Sequence, residues 1–109
     1  MPIDIETVIE QSKHANAEMR TEAVRMLCPC KLKFNYEPAW NRLLEMVTDP
    51  DVHVRRNVLH VLCDGSPRER ETEVVQALER MYHDKDAKLR RHVRKLLAQY
   101  KRGGRINVL

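Results

Sequence analysis

The sequence predicts an all-α superhelix built from three antiparallel helix pairs, and three observations carry that prediction. A 13-residue pattern appears three times without gaps, at an offset of 35 residues each time: Asn16 to Cys28, Asp51 to Cys63, and Asp86 to Ala98. Within each copy the apolar positions follow helical spacing: Met19, Ala23, Met26 and Leu27, then Val54, Val58, Val61 and Leu62, then Leu89, Val93, Leu96 and Leu97. Only 3 Gly and 5 Pro occur in 109 residues, which leaves little room for the many turns of an all-β domain.

The second helix of each pair opens on Asn16, Asp51 or Asp86, residues whose side chains accept hydrogen bonds from the free N–H groups of a first turn. Upstream, the first helices share the same register. Ile5, Val8 and Ile9 correspond to Trp40, Leu43 and Leu44, and then to Val75, Leu78 and Glu79, where only the last departs. Pro38 and Pro67 sit where helix starts tolerate proline, with Ser66 as the candidate cap before Pro67. The expected helices are 3–12, 17–28, 38–48, 52–63, 67–83 and 87–101, in one domain over 1–109. The three pairs cover about 3–28, 38–63 and 67–101, with a tail at 102–109. Short Asp- and Lys-containing turns join the members of a pair, and longer connections at 29–37 and 64–66 join the pairs.

The stretch Asp49-Pro50-Asp51-Val52-His53-Val54-Arg55-Arg56-Asn57-Val58-Leu59-His60-Val61-Leu62 resembles the second half of a HEAT or HEAT-like repeat. Weaker versions of the same pattern stand at 14–27 and 84–97. The resemblance covers nearly the whole chain and implies a short HEAT-like α-α superhelix. It implies no single function, because such repeats serve scaffolds, lyases, hydroxylases and nucleic-acid enzymes alike. The tetratricopeptide pattern, of similar length, does not fit: Leu44, Val47, Arg56, His60 and Arg68 occupy its expected Gly, Tyr, Ala, Phe and Pro positions.

Charge and composition narrow the class. One-third of the residues are charged and 42% are apolar, too apolar for a disordered chain. No apolar run approaches the ~18 residues a spanning helix needs. Met1-Pro2-Ile3-Asp4-Ile5-Glu6 has neither a basic head nor an apolar run, so a cytoplasmic protein without membrane contact is expected. The net charge of +4 is unevenly spread: residues 85–105 carry nine Lys or Arg and one acid, leaving the other 88 residues net acidic.

Turning 100° per residue from the buried stripe places Arg56 and His60 opposite the core, and their equivalents are Thr21 and Arg25, and Arg91 and Lys95. Arg25, Arg56, His60, Arg91 and Lys95 are therefore the candidate binding residues, a basic ladder along the second helices. The same side chains also suit a merely solvated helix face, and the basic last helix also suits a polar end-cap for a solenoid. Phe34, Tyr36 and Trp40 cluster around the longest connection, as a seal between the first two pairs or as a secondary binding site. Arg20, Arg55 and Arg90, each next to a position expected to be buried (Met19, Val54, Leu89), are expected to reach carboxylates or helix-end carbonyls near the turns, with Asp49 and Asp84 as candidate partners.

Cys28, Cys30 and Cys63 lack the spacing of a zinc site, and His14, His53, His60, His83 and His92 include no His-Glu dipeptide. No Gly-rich phosphate loop or nucleophile elbow appears, so neither catalytic residues, nor a metal, nor a cofactor are expected. The expected function is a non-enzymatic interaction or scaffold module that binds an acidic protein segment through its second-helix face. A nucleic-acid-binding accessory using the ladder and the basic last helix is the alternative, and a lyase or hydroxylase subunit the weakest reading. Nothing in the pattern fixes an oligomeric state.

Overall fold

The computed structural model describes residues 4–28, 36–64, 66–104 and 106. They form six α-helices: α1 (Ile5–Gln11), α2 (Ala17–Met26), α3 (Glu37–Glu45), α4 (Val52–Cys63), α5 (Glu71–Arg80) and α6 (Ala87–Lys101). Short 3-10 turns at Met46–Thr48 and Arg68–Arg70 extend α3 and precede α5. Among the described residues no strand forms beyond the isolated bridge residue Ser66. The helices pair as α1/α2, α3/α4 and α5/α6, and α2 lies along α4.

Each second helix starts where its capping residue stands. Asn16 Oδ1 accepts from the N–H groups of Glu18 (2.8 Å) and Met19 (3.2 Å), and Asp51 Oδ1 from those of His53 (2.8 Å) and Val54 (3.3 Å). Asp86 Oδ2 accepts from Leu89 N–H at 2.9 Å. Helices α4 and α6 have the bounds the sequence predicts. The first helices differ more. Pro67 is extended (ψ 142°), so the chain makes a 3-10 turn before α5 begins at Glu71. Ser66 is buried with its Oγ unpartnered, and so does not cap that helix. Helix α6 ends in a Schellman turn: Gly103 adopts φ +88°, its N–H donates to Tyr100 O, and the Gly104 N–H donates to Gln99 O. Beyond this turn Ile106 returns to the core, 1% exposed.

One continuous apolar core runs through all six helices, from Val8 and Ile9 through Val24, Leu43, Val58, Leu62 and Leu78 to Val93 and Leu97. Val54 and Leu89 are buried as expected, but their equivalent Met19 is 39% exposed. Trp40 is buried, and the Tyr36 hydroxyl donates to Glu6 Oε1 at 2.7 Å, tying the start of α3 to α1; Phe34 lies outside the described residues. Arg42 reaches back to the end of α1, donating to Ser12 Oγ and Ser12 O.

The repeats are fastened to one another by their arginines. Arg20 grips Asp49 of the next repeat with two parallel bonds, Nε to Oδ2 at 2.9 Å and Nη2 to Oδ1 at 3.0 Å, while its Nη1 donates to His14 O and Ala15 O. Arg55 repeats this one unit on, gripping Asp84 while its Nη1 donates to Asp49 O and Pro50 O. A planar guanidinium suits this task because one edge matches a carboxylate while the remaining N–H groups serve carbonyls at a helix entry. Asp49 and Asp84 also shape their own turns, accepting from the N–H groups of Asp51 and Asp86 at 2.9 Å each.

Candidate interaction surface

The second-helix face is built by α2, α4 and α6, whose caps and stripes fix which side chains point away from the core. Arg25, Arg56, His60, Arg91 and Lys95 all keep access to solvent there, with Arg56 the least exposed. Their surroundings differ along the face. Arg25 Nε donates to Asn57 Oδ1 at 3.2 Å, tying α2 to α4. Arg56 Nη2 donates to Asp86 Oδ2 at 3.0 Å, with the two side chains 41% and 27% exposed. His60 Nε2 lies 3.4 Å from Asp64 Oδ2. Among the described residues Arg91 and Lys95 have no hydrogen-bond or ion-pair partner, and both are exposed on the last helix.

At the first-repeat end, α2 and α4 frame an open groove of about 800 Å3 lined by Asn16, Glu18, Glu22, Arg25, Asp51, His53 and Asn57, among others. Three carboxylates, Glu18, Glu22 and Asp51, and one arginine, Arg25, line it. The face therefore has a polarity: mixed and acid-rich at its beginning, purely cationic at its end. Asp51 and Asp86 are held below the ordinary carboxylate range, chiefly by the backbone N–H groups of the helices they cap, and Asp86 also by Arg56. Both stay anionic at neutral pH, so Arg56 is partly neutralised where it stands.

Of the aromatic group, Trp40 is only 2% exposed and lies in the core, and half-buried Tyr36 donates to Glu6 of α1. Cys28 is buried and Cys63 half-buried, while Cys30 lies outside the described residues. Burial and the neighbouring Asp64 push the Cys63 thiol up to about 12, so it stays protonated and unreactive at neutral pH. Among the described residues no cluster of His, Cys, Asp or Glu could hold a metal ion, and no helix is long and apolar enough to cross a membrane.

Sequence reasoning missed the groove residues Glu18, His53 and Asn57. Their signal lies in the repeat offset, since Glu18 is equivalent to His53 and Glu22 to Asn57, but these positions share no single charge sign. It also missed Arg94, which lies 4.2 Å from the centroid of the exposed Tyr82 ring and donates to Tyr82 O.

Stacked helix pairs at a fixed 35-residue offset, fastened by Arg-to-Asp grips and presenting one charged face, define an α-helical repeat protein. The chain belongs to the HEAT repeat family, whose model matches residues 5–98. Among solved structures it is similar to the crystal structure of an engineered protein, with a TM-score of 0.57 and 17% identity. The match covers 92% of this chain and 46% of that one, so the chain spans about half the length of that relative. No curated protein matches the sequence. HEAT repeats generally mediate protein–protein interaction or scaffolding.

Proposed function

We propose that this chain is a non-catalytic interaction module that binds an acidic protein segment through its second-helix face. The observation that carries the reading is that Arg91 and Lys95, at the end of that face, have no partner among the described residues, within a segment, residues 85–105, that holds nine Lys or Arg against one acid. Charges without internal partners need not break a bond to meet a ligand, and a cationic end steers an anionic partner toward it. Arg56 joins them by exchanging Asp86 for a ligand carboxylate, at a cost of about 0–1 kcal/mol for so exposed a pair. Arg25 and His60 extend the contact toward the acid-rich groove, which sets the orientation of an acidic strand by repelling its wrong end.

The same basic helix suits phosphates, and salt dependence separates the two ligands. The test is a titration of the protein with a fluorescent Glu/Asp-rich peptide and, separately, with duplex DNA over a range of salt. The peptide is expected to bind saturably near physiological salt, with DNA at least about tenfold weaker. DNA binding tighter than the peptide, with affinity falling linearly in log salt regardless of base sequence, would overturn the protein-partner reading.

A further inference from the structure

The Arg-to-Asp fastening that joins the repeats has an open end, and its form specifies what fits there. In the middle of the chain, Arg55 and Arg56 together hold both acids of the turn Asp84-Lys85-Asp86: Arg55 takes Asp84 through Nε and Nη2 (2.8 and 3.1 Å), and Arg56 takes Asp86 through Nη2 (3.0 Å). Their equivalents 35 residues on are Arg90 and Arg91. Arg90 Nη1 donates to Asp84 O at 2.8 Å, as Arg55 Nη1 does to Asp49 O, so its guanidinium is anchored to its own turn. Among the described residues, the Nε and Nη2 edge that in Arg20 and Arg55 grips the next carboxylate has no partner in Arg90, and Arg91 has none at all.

We propose that Arg90 and Arg91 form a docking site for an Asp-x-Asp turn at the start of a helix in another polypeptide. The inference rests on the interaction-module reading for the class of ligand, but places this contact at the edge of the last helix pair, with Arg90 as its centre. The chain carries its own model of the complex in Arg55-Arg56 on Asp84-Lys85-Asp86. No Asp or Glu follows Asp86 in this sequence, so residues 87–109 supply no such side chain.

A second copy stacked head to tail does not fit either. The position equivalent to Asp49 and Asp84 at the first-repeat edge is His14, whose Nδ1 accepts from Asn16 N–H at 2.9 Å, as the two aspartates accept in their own turns. With Nδ1 so used, His14 presents an N–H at Nε2, a donor facing the donors of Arg90. The two edges of the molecule are mismatched, which leaves the Arg90 edge to a different partner.

The test uses the full-length protein, 15N-labelled, and a soluble 20-residue helical peptide opening with acetyl-Asp-Pro-Asp. The expected result is a shift of the Arg90 Nε–H signal on titration, with affinity reduced about tenfold by Arg90→Lys, which keeps the charge but loses the fork. A control peptide opening with Asn-Pro-Asn is expected to leave Arg90 unmoved. An Arg90 signal unchanged by the Asp peptide, or equal binding of the two peptides, would overturn the proposal. If the acidic peptide shifts Lys95 and Arg25 but not Arg90, the edge site falls while the second-helix-face reading stands. Loss of binding in Lys95→Gln with Arg90 still shifting in the wild type would leave the edge site intact and move the face contact onto the same ligand.

Discussion

Arg55 and Asp84, 29 residues apart, meet through two parallel hydrogen bonds of 2.8 and 3.1 Å with side chains only 10% and 5% exposed. Arg20 and Asp49 do the same one repeat earlier. Removing one partner leaves the other charge enclosed, so Asp84→Ala is expected to cost about 2–4 kcal/mol, whereas Asp86→Asn, which keeps the cap and loses only the exposed Arg56 pair, costs less than about 1 kcal/mol. Urea melts of the two variants check the difference.

The core should respond according to how many neighbours cover it. Leu62, fully buried in the middle pair, is expected to lose about 2–5 kcal/mol on change to Ala, a large share of the stability of a domain this small. Met19→Ala is expected to cost under about 1 kcal/mol, since the side chain is 39% exposed. Equal midpoints for the two in chemical denaturation would contradict the described packing.

Acid should loosen the helix starts. Asp51 and Asp86 are held below the ordinary carboxylate range when folded, because backbone N–H groups, and for Asp86 the Arg56 guanidinium, favour the charged form. Their contribution is therefore full above the unfolded value and is lost as pH falls through the depressed folded one. Asp51→Asn with Asp86→Asn keeps acceptors at both caps without the charge. The double variant is expected to show a smaller drop in Tm than wild type between about pH 6 and about pH 3.

The Cys63 thiol, pushed up to about 12 by burial and Asp64, should resist alkylation. Peptide mapping after brief iodoacetamide treatment near neutral pH is expected to find Cys63 modified at least about tenfold more slowly than in urea-unfolded protein. Equal rates would mean that the end of α4 opens freely.

How much of this was legible beforehand follows from which forces act along one helix and which act between elements. The grips of Arg20 on Asp49 and Arg55 on Asp84 were foreseeable, because a 35-residue repeat brings each Arg to the same turn of its neighbour. The Arg56–Asp86 pair was not, since Asp86 was already accounted for as a cap, and that the capping Oδ2 also accepts from Arg56 leaves no mark in the pattern. Met19 shares its spacing with Val54 and Leu89, and spacing within one helix does not say how completely other elements bury each position. Ser66 before Pro67 has the composition of a helix start, yet the extended Pro67 backbone delays α5 to Glu71. Ile106 follows a Gly pair that ends α6, and its return to the core depends on tertiary packing that no local signal announces. The ladder was visible as exposed basic residues, but its gradient from acid-rich groove to free cations emerged only with the partners of each side chain.

The most direct test of the second-helix face as the binding surface is a pair of charge-matched variants measured against one acidic peptide by calorimetry. One carries Arg91→Glu and Lys95→Glu on the face. The other carries Lys13→Glu and Lys101→Glu, at the α1/α2 turn and the far end of α6, with the same change in net charge. The account predicts that the first loses peptide binding at least about a hundredfold while its helical CD spectrum and Tm stay near wild type, and that the second keeps affinity within about threefold. Equal losses in both variants would contradict it, since binding would then follow overall charge and not the face built by α2, α4 and α6.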